Sequence, residues 1–133
     1  MSVFADTSAL FAVLAAKDPF HVRAGAEWVQ LIDKREKLVS SNYVLLETTA
    51  LLQSRIGLDA VRAFDNNILP VLEIVWIDQQ THERAVASLI GANRRQLSLV
   101  DMTSFSVMRE RRIDTVFTFD IHFSEQGFSV VPG

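Results

Sequence analysis

The chain has 133 residues, 49% of them hydrophobic and 22% charged, and a formal net charge of −3. This length and composition predict a single domain over residues 1–133 with its own core, and they exclude the disordered class. The acidic balance argues against nonspecific nucleic-acid binding through overall charge, and the absence of cysteine excludes disulfides, thiolate nucleophiles and cysteine-based zinc sites.

The apolar segment near the start of the chain does not have the form of a targeting sequence. It runs from Val3 to Ala16, is interrupted by Asp6, and has no positively charged region before it. It therefore resembles neither a signal peptide nor a membrane span. We expect a cytoplasmic protein with no membrane partner.

Strand-like and helix-like patterns alternate along the chain. The predicted strands are Val3–Ala5, Leu38–Ser40, Glu73–Trp76, Thr115–Thr118 and Ser129–Val131. The predicted helices are Ser8–Ala16, a second that Asp18 and Pro19 begin and that reaches about Lys34, Tyr43–Gln53, Asp59–Ile68, Thr81–Ala92 and Ser98–Arg111. This order predicts an α/β fold with a mostly parallel sheet of about five strands and helices on both faces.

Three acids stand where parallel strands end or helices begin. Asp6 follows the first predicted strand and Asp120 follows the fourth, so each suits a ligand site at the carboxyl edge of the sheet. A helix cap for Asp6 and a turn for Asp120 are the ordinary structural alternatives. Asp101 comes three residues after Ser98, which is also a capping-box pattern.

Glu47 is harder to explain as a structural residue. Its neighbours three and four residues away on a helix include Val44, Ala50 and Leu51. A carboxylate among apolar neighbours loses hydration and needs a partner, although a solvated position at the rim of the helix face is the alternative. Four acids brought together at one sheet edge would repel one another, and a divalent cation is the simplest neutralising partner. Oxygen ligands favour Mg²⁺ or Mn²⁺ over zinc.

Four segments resemble those of the PIN-domain ribonucleases, and the overall pattern is closest to the VapC toxins of prokaryotic toxin-antitoxin pairs. They are Phe4-Ala5-Asp6-Thr7-Ser8, Leu46-Glu47, Ser98-Leu99-Val100-Asp101 and Phe117-Thr118-Phe119-Asp120-Ile121-His122-Phe123. The resemblance implies a PIN-like three-layer α/β/α fold. The sequence departs from the family pattern at Met102 and Ile121. These departures concern substrate preference more than metal binding.

The resemblance also implies a catalytic and metal-binding role for Asp6, Glu47, Asp101 and Asp120. They would hold one or two Mg²⁺ or Mn²⁺ ions and direct hydrolysis of RNA to 5′-phosphate and 3′-hydroxyl ends. Thr7 and Thr118 are supporting candidates that could orient a carboxylate or water. For Ser8 we favour a structural role in a helix cap or a turn. For His122 we favour a structural role in a turn.

Partners follow from the same resemblance: an RNA substrate, a cognate antitoxin and a homodimer. Two alternatives stay open, namely a housekeeping RNA-processing or RNA-decay nuclease without an antitoxin, and a catalytically silent module that binds RNA or protein. Two basic groups could contact an RNA backbone, although solvated helix ends are their usual explanation. They are Arg94, Arg95, Arg109, Arg111 and Arg112 in one group, and Lys34, Arg35 and Lys37 in the other.

Overall fold

The computed structural model describes residues 1–133 and contains one five-stranded sheet, in which every neighbouring pair of strands is parallel. The spatial order is β3-β2-β1-β4-β5. The strands are β1 (Ser2–Ala5), β2 (Lys37–Ser41), β3 (Leu72–Val75), β4 (Thr115–Phe117) and β5 (Ser129–Val131). The prediction of an α/β fold around a parallel sheet of five strands is confirmed.

Seven α-helices connect and cover the strands. They are α1 (Thr7–Leu14), α2 (His21–Asp33), α3 (Asn42–Arg55), α4 (Leu58–Ala63), α5 (Gln79–Ala92), α6 (Leu99–Glu110) and α7 (Ile121–Glu125). A π-helical turn, Phe64–Ile68, and a 3-10 turn, Leu69–Val71, join α4 to β3. None of these helices combines the length and the apolar character needed to cross a membrane.

The central strands are buried on both faces. Val3, Phe4 and Ala5 are consecutive residues of β1, and each is at most 2% exposed although their side chains alternate between the two faces of the sheet. Val116 and Phe117 of β4 are fully buried in the same way. Helices must therefore cover both faces, which is the three-layer arrangement expected for a parallel sheet.

The strand order places a crevice beside the carboxyl end of β1. The chain moves from β1 outward through β2 to β3, and then returns to place β4 on the other side of β1. Connections that leave in opposite directions open a crevice at this switch point, where α/β proteins bind ligands. The backbone N–H of Asp6 donates to the carbonyl of Phe117 at 3.0 Å, which ties the two strand ends together.

Two sequence predictions of local structure are wrong, and one short helix was not predicted. The second helix begins at His21, because the Asp18 carboxylate accepts the N–H of Phe20 at 2.8 Å and holds Asp18 and Pro19 in a turn before it. The predicted helix Asp59–Ile68 is α-helical only as far as Ala63. The helix that was not predicted is α7, which Asp120 caps by accepting the N–H of His122 with its side chain.

Two leucines on α3 allow the contribution of the core to stability to be measured, because one is buried and the other is exposed. Leu52 is fully buried, whereas Leu46 is 72% exposed on the same helix. We expect Leu52→Ala to lower the free energy of unfolding by about 2–5 kcal/mol, because it removes apolar contacts and leaves a cavity. Leu46→Ala, the matched control, should change it by no more than about 0.5 kcal/mol. Urea unfolding at equilibrium measures both, and equal losses would contradict this account of the core.

Candidate active site

A cleft of about 460 Å³ lies at the carboxyl edge of the sheet beside β1 and β4. All four acids selected from the sequence line it, together with a fifth acid that was not selected. The acids are Asp6, Asp18, Glu47, Asp101 and Asp120. Arg55 is the only cationic side chain among the lining residues. The fold therefore gathers carboxylates from widely separated parts of the sequence around one cavity.

Asp6 is the most buried of these acids. It directly follows β1 and is 4% exposed, but its side chain does not cap α1. Burial raises its pKa from 3.8 to about 6, while hydrogen bonds from Thr118 and Ser8 lower it by less, and the nearby Asp101 raises it further. A carboxylate with this pKa ionises readily only when a cation or a higher pH compensates for its lost hydration.

Two hydroxyl groups hold the Asp6 side chain in place. Thr118 Oγ1 donates to Asp6 Oδ2 at 2.8 Å, and Ser8 Oγ donates to the same oxygen at 3.0 Å. Ser8 also accepts the N–H of Phe119 at 2.9 Å, and Thr118 accepts the N–H of Asp120 at 3.0 Å. These bonds connect the start of α1 to the segment after β4. Ser8, for which a cap or turn role was favoured, thus contacts the site as closely as Thr118 does.

Thr7 differs from these two residues. Its side chain lines the cleft and is buried, but its hydroxyl has no hydrogen-bond partner within the protein. A buried hydroxyl without a partner is unfavourable unless water or a ligand completes its hydrogen bonds. The hydroxyl of Thr7 therefore makes no hydrogen bond within the protein. The supporting role of Thr7 stays a prediction.

Asp101 has both of the roles that its sequence position permits. Its Oδ2 accepts the N–H of Ser98 at 2.9 Å while its own N–H donates to Ser98 Oγ at 3.0 Å, which completes a capping box at the start of α6. Its side chain also lines the cleft, where burial raises its pKa and the charge of Asp120 raises it further. The helix cap and the position at the site are therefore compatible.

Asp120 and His122 lie next to Asp101. One ligand atom from each of the three side chains can be chosen so that all lie within 4.8 Å of one another. Nδ1 of His122 lies 2.9 Å from Oδ1 of Asp120 but is not aligned for a hydrogen bond. His122, for which the sequence favoured a turn role, therefore contributes an imidazole to the acidic cluster.

Glu47 lines the cleft from α3. It is half-buried, and its carboxylate makes no hydrogen bond or ion pair within the protein. It stands outside the compact group formed by Asp101, Asp120 and His122. The structure thus brings Glu47 to the same cavity from a separate helix, α3. Its role as a metal ligand stays a prediction.

The donor set fits a divalent cation. In each of Asp6, Asp101 and Asp120, one carboxylate oxygen is held by a hydrogen bond from the protein and the other oxygen accepts none. Fixing one oxygen orients the side chain and leaves lone pairs on the other oxygen for a ligand. A hard cation such as Mg²⁺ or Mn²⁺ stabilises clustered carboxylates of this kind.

The basic groups noted in the sequence do not line the cleft. Arg94 pairs with Glu125, both Arg111 and Lys37 pair with Glu73, and Arg109 donates to Gln126. The cation that does reach the cleft is Arg55, which lies over the ring of Phe11 at 5.5 Å from its centroid. Arg55 could not be identified from the sequence, because it stands alone at the end of α3 and belongs to no cluster of basic residues.

Comparison with known proteins identifies the same fold and a set of relatives. Residues 3–129 match the PIN domain family. The chain is 35% identical over 127 residues to the 23S rRNA-specific endonuclease VapC20 of Mycobacterium tuberculosis, in both strain CDC 1551 / Oshkosh and strain H37Rv, and the match covers 95% of each chain.

Two solved structures are also similar. The crystal structure of Mycobacterium tuberculosis VapC20, described as a sarcin-ricin loop cleaving toxin, has a TM-score of 0.85 at 35% identity and covers 96% of each chain. The structure of FitAcB from Neisseria gonorrhoeae has a TM-score of 0.69 at 15% identity, covering 96% of this chain and 95% of that one. At this identity the second likeness concerns the fold alone. The expected PIN-like three-layer fold is confirmed.

The raised pKa of Asp6 predicts a pH dependence of stability in the absence of metal. The pKa is 3.8 in the unfolded chain and about 6 in the folded protein, so between these values the folded state binds more protons. The contribution of Asp6 to stability therefore falls as the pH rises from about 4 to about 6, and it stays lower above that range. Because asparagine cannot ionise, we expect the free energy of unfolding of Asp6→Asn above pH 6 to exceed that of the wild type by up to about 3 kcal/mol.

Urea unfolding in EDTA at pH 4, 5, 6, 7 and 8 measures this effect. The pH slope should decrease in Asp6→Asn without vanishing, since the raised pKa of Asp101 acts in the same direction. Asp65→Asn is the control, because Asp65 is exposed and makes no ion pair. Equal stability of Asp6→Asn and the wild type at pH 8 would contradict the burial of a destabilising charge.

Proposed function

The chain belongs to the PIN-domain family, and on that premise we propose that it is a metal-dependent endoribonuclease and the toxin of a VapBC-type toxin-antitoxin pair. It would hydrolyse RNA phosphodiesters to leave 5′-phosphate and 3′-hydroxyl ends. The observation that carries this proposal is the set of three aspartates, Asp6, Asp101 and Asp120, each anchored through one oxygen at the rim of one cleft.

In this proposal the aspartates hold one or two Mg²⁺ or Mn²⁺ ions, and Glu47 completes the acidic set from α3. Ser8 and Thr118 keep Oδ2 of Asp6 fixed, so that the other oxygen of this side chain stays turned to the ligand. Thr7, whose buried hydroxyl has no partner within the protein, would support the site by donating to a neighbouring carboxylate or to water when a ligand binds. Bound divalent cations supply two kinds of chemistry, activation of a water molecule and stabilisation of negative charge on the phosphate.

The single cation of the cleft, Arg55, offsets part of the repulsion between a phosphodiester and the carboxylates. The hydrolysis is an in-line attack of water on phosphorus, with the 3′-oxygen as leaving group. Water adds its oxygen to the phosphate, and a proton goes to the departing 3′-oxygen. Such an attack leaves the phosphate on the 5′ side of the downstream fragment.

The similarity to relatives also suggests a substrate class. Proteins 35% identical to this chain are described as specific for 23S rRNA and as cleaving its sarcin-ricin loop. We propose ribosomal RNA as the first substrate to assay, and the cytoplasm as the place where the protein acts on it. Met102 and Ile121, where the sequence departs from the family pattern, stand beside Asp101 and Asp120 and would affect which loop is cut.

The decisive test is Asp101→Asn, assayed on a 23S rRNA sarcin-ricin hairpin with Mg²⁺ or Mn²⁺. Asparagine can still accept the N–H of Ser98, so the cap of α6 is kept while a negative ligand is lost. We expect cleavage to fall by at least about 100-fold. EDTA should abolish cleavage by the wild type, and end mapping should find 5′-phosphates. Asp65→Asn should cleave like the wild type; retained activity in Asp101→Asn at saturating metal would refute the mechanism.

Partners are tested by expression in cells and by light scattering. We expect growth arrest on expression of this chain, relief by the product of a short adjacent reading frame, and no arrest with Asp101→Asn. The exposed Trp76, at 74% exposure, would bury apolar surface in a homodimer. Light scattering should give twice the chain mass; a monomer at every concentration would exclude the dimer, and arrest without relief would favour a nuclease lacking an antitoxin.

A further inference from the structure

Two stacked phenylalanines form a flat aromatic surface beside the acids of the cleft. The rings of Phe20 and Phe119 are nearly parallel, with an interplanar angle of 8° and centroids 4.5 Å apart. Both residues line the cleft. Phe20 is nevertheless 39% exposed, although Phe119 stacks on one face of its ring. A phenylalanine that lines a cleft and stays this exposed can contact a ligand there.

The position of Phe20 is fixed by more than the ring contact. Its N–H donates to Asp18 Oδ1 at 2.8 Å, which forms the turn before α2. The next residue, His21, makes a 2.7 Å hydrogen bond between Nδ1 and the carbonyl of Ala12 on α1. The ring of Phe119 also has the guanidinium of Arg23 at 5.5 Å from its centroid. The surface is therefore held in place before any ligand arrives, which reduces the entropy lost on binding.

We propose that Phe20, supported by Phe119, is a stacking platform for a base of single-stranded RNA beside the cleaved phosphodiester. This inference rests on the proposed endoribonuclease function and adds a binding subsite to it. Aromatic rings recognise unpaired bases in RNA loops by stacking on them. Phe20 and the acids line the same cleft, so a phosphodiester held at the acids would have the base of a neighbouring nucleotide near Phe20.

A nucleic-acid ligand suits this surface better than a protein segment does. Phe20 lines a cleft together with five carboxylates and Arg55, rather than a closed apolar pocket for a side chain. Stacking on such a face requires only a planar ring, and every nucleobase supplies one. The platform would then contact the base of one nucleotide, and the acids would hold the phosphate of the adjoining nucleotide.

The test measures binding of a fluorescein-labelled sarcin-ricin hairpin to protein in the Asp101→Asn background with Mg²⁺, where cleavage is suppressed. We expect Phe20→Ala to weaken binding about 5- to 150-fold. Phe20→Tyr should bind within about twofold of the parent, and Phe20→Leu should resemble Phe20→Ala because it keeps apolar area but loses the ring. Val22→Ala is the matched control, since Val22 is exposed, near in sequence and outside the cleft.

A second measurement identifies stacking itself. A series of hairpins, each with one abasic loop nucleotide, should contain one position at which loss of the base weakens binding to the parent protein but not to Phe20→Ala. Such nonadditivity is the mark of a direct interaction. Thermal unfolding and Mn²⁺ affinity should be unchanged by Phe20→Leu, which separates loss of the platform from damage to the acidic site.

The outcomes are distinguishable. Equal RNA affinity of Phe20→Ala and the parent, or additive effects at every abasic position, would overturn the platform while wild-type cleavage still upheld the proposed function. Unchanged RNA affinity together with lost relief of growth arrest by the adjacent reading frame would assign Phe20 to the protein partner, and would also overturn it. A wild-type protein that neither binds nor cleaves the hairpin would refute the substrate class and the platform with it.

Discussion

The burial of clustered carboxylates, added to by repulsion between them, is the constraint around which this molecule is organised. Asp6 is nearly inaccessible to water, and this burial raises its pKa to about 6, with a smaller contribution from the charge of Asp101. Most soluble folds avoid such an arrangement. Here the parallel sheet, the hydroxyls of Ser8 and Thr118 and the cap of α6 keep the acids together against that repulsion. The stability lost in this way is the kind of loss that functional sites impose on their folds.

Much of the fold could be predicted from the sequence because its signals are local. The five strands are apolar runs, Ser41 and Ser98 are side-chain caps, and each of these features depends on residues only a few positions apart. The errors arose where a short-range alternative competes with the helix. Asp18 caps nothing because its carboxylate is used by Phe20 in a turn, and α7 is only five residues long, too short to give a periodic pattern.

The site was only partly predictable, for a different reason. Acids at strand ends can be found from the sequence because the topology of a parallel sheet brings strand ends together. Ser8, His122, Arg55 and Phe20 could not be found in this way, since their relevance depends on contacts between distant segments. The bond from Phe119 N–H to Ser8 joins residues 111 positions apart, and no pattern within either segment encodes it.

The pairing of β1 with β4 also determines when the site can exist during synthesis. Thr118 bonds to Asp6 across 112 positions, and both Thr118 and Asp120 are made long after Asp6. Contacts of such sequence separation form late, because a long loop must close before they contribute. A nascent or truncated chain that ends before Thr115 lacks β4 and contains only part of the acidic set. The acidic site is therefore incomplete until β4 and the segment that follows it have been made.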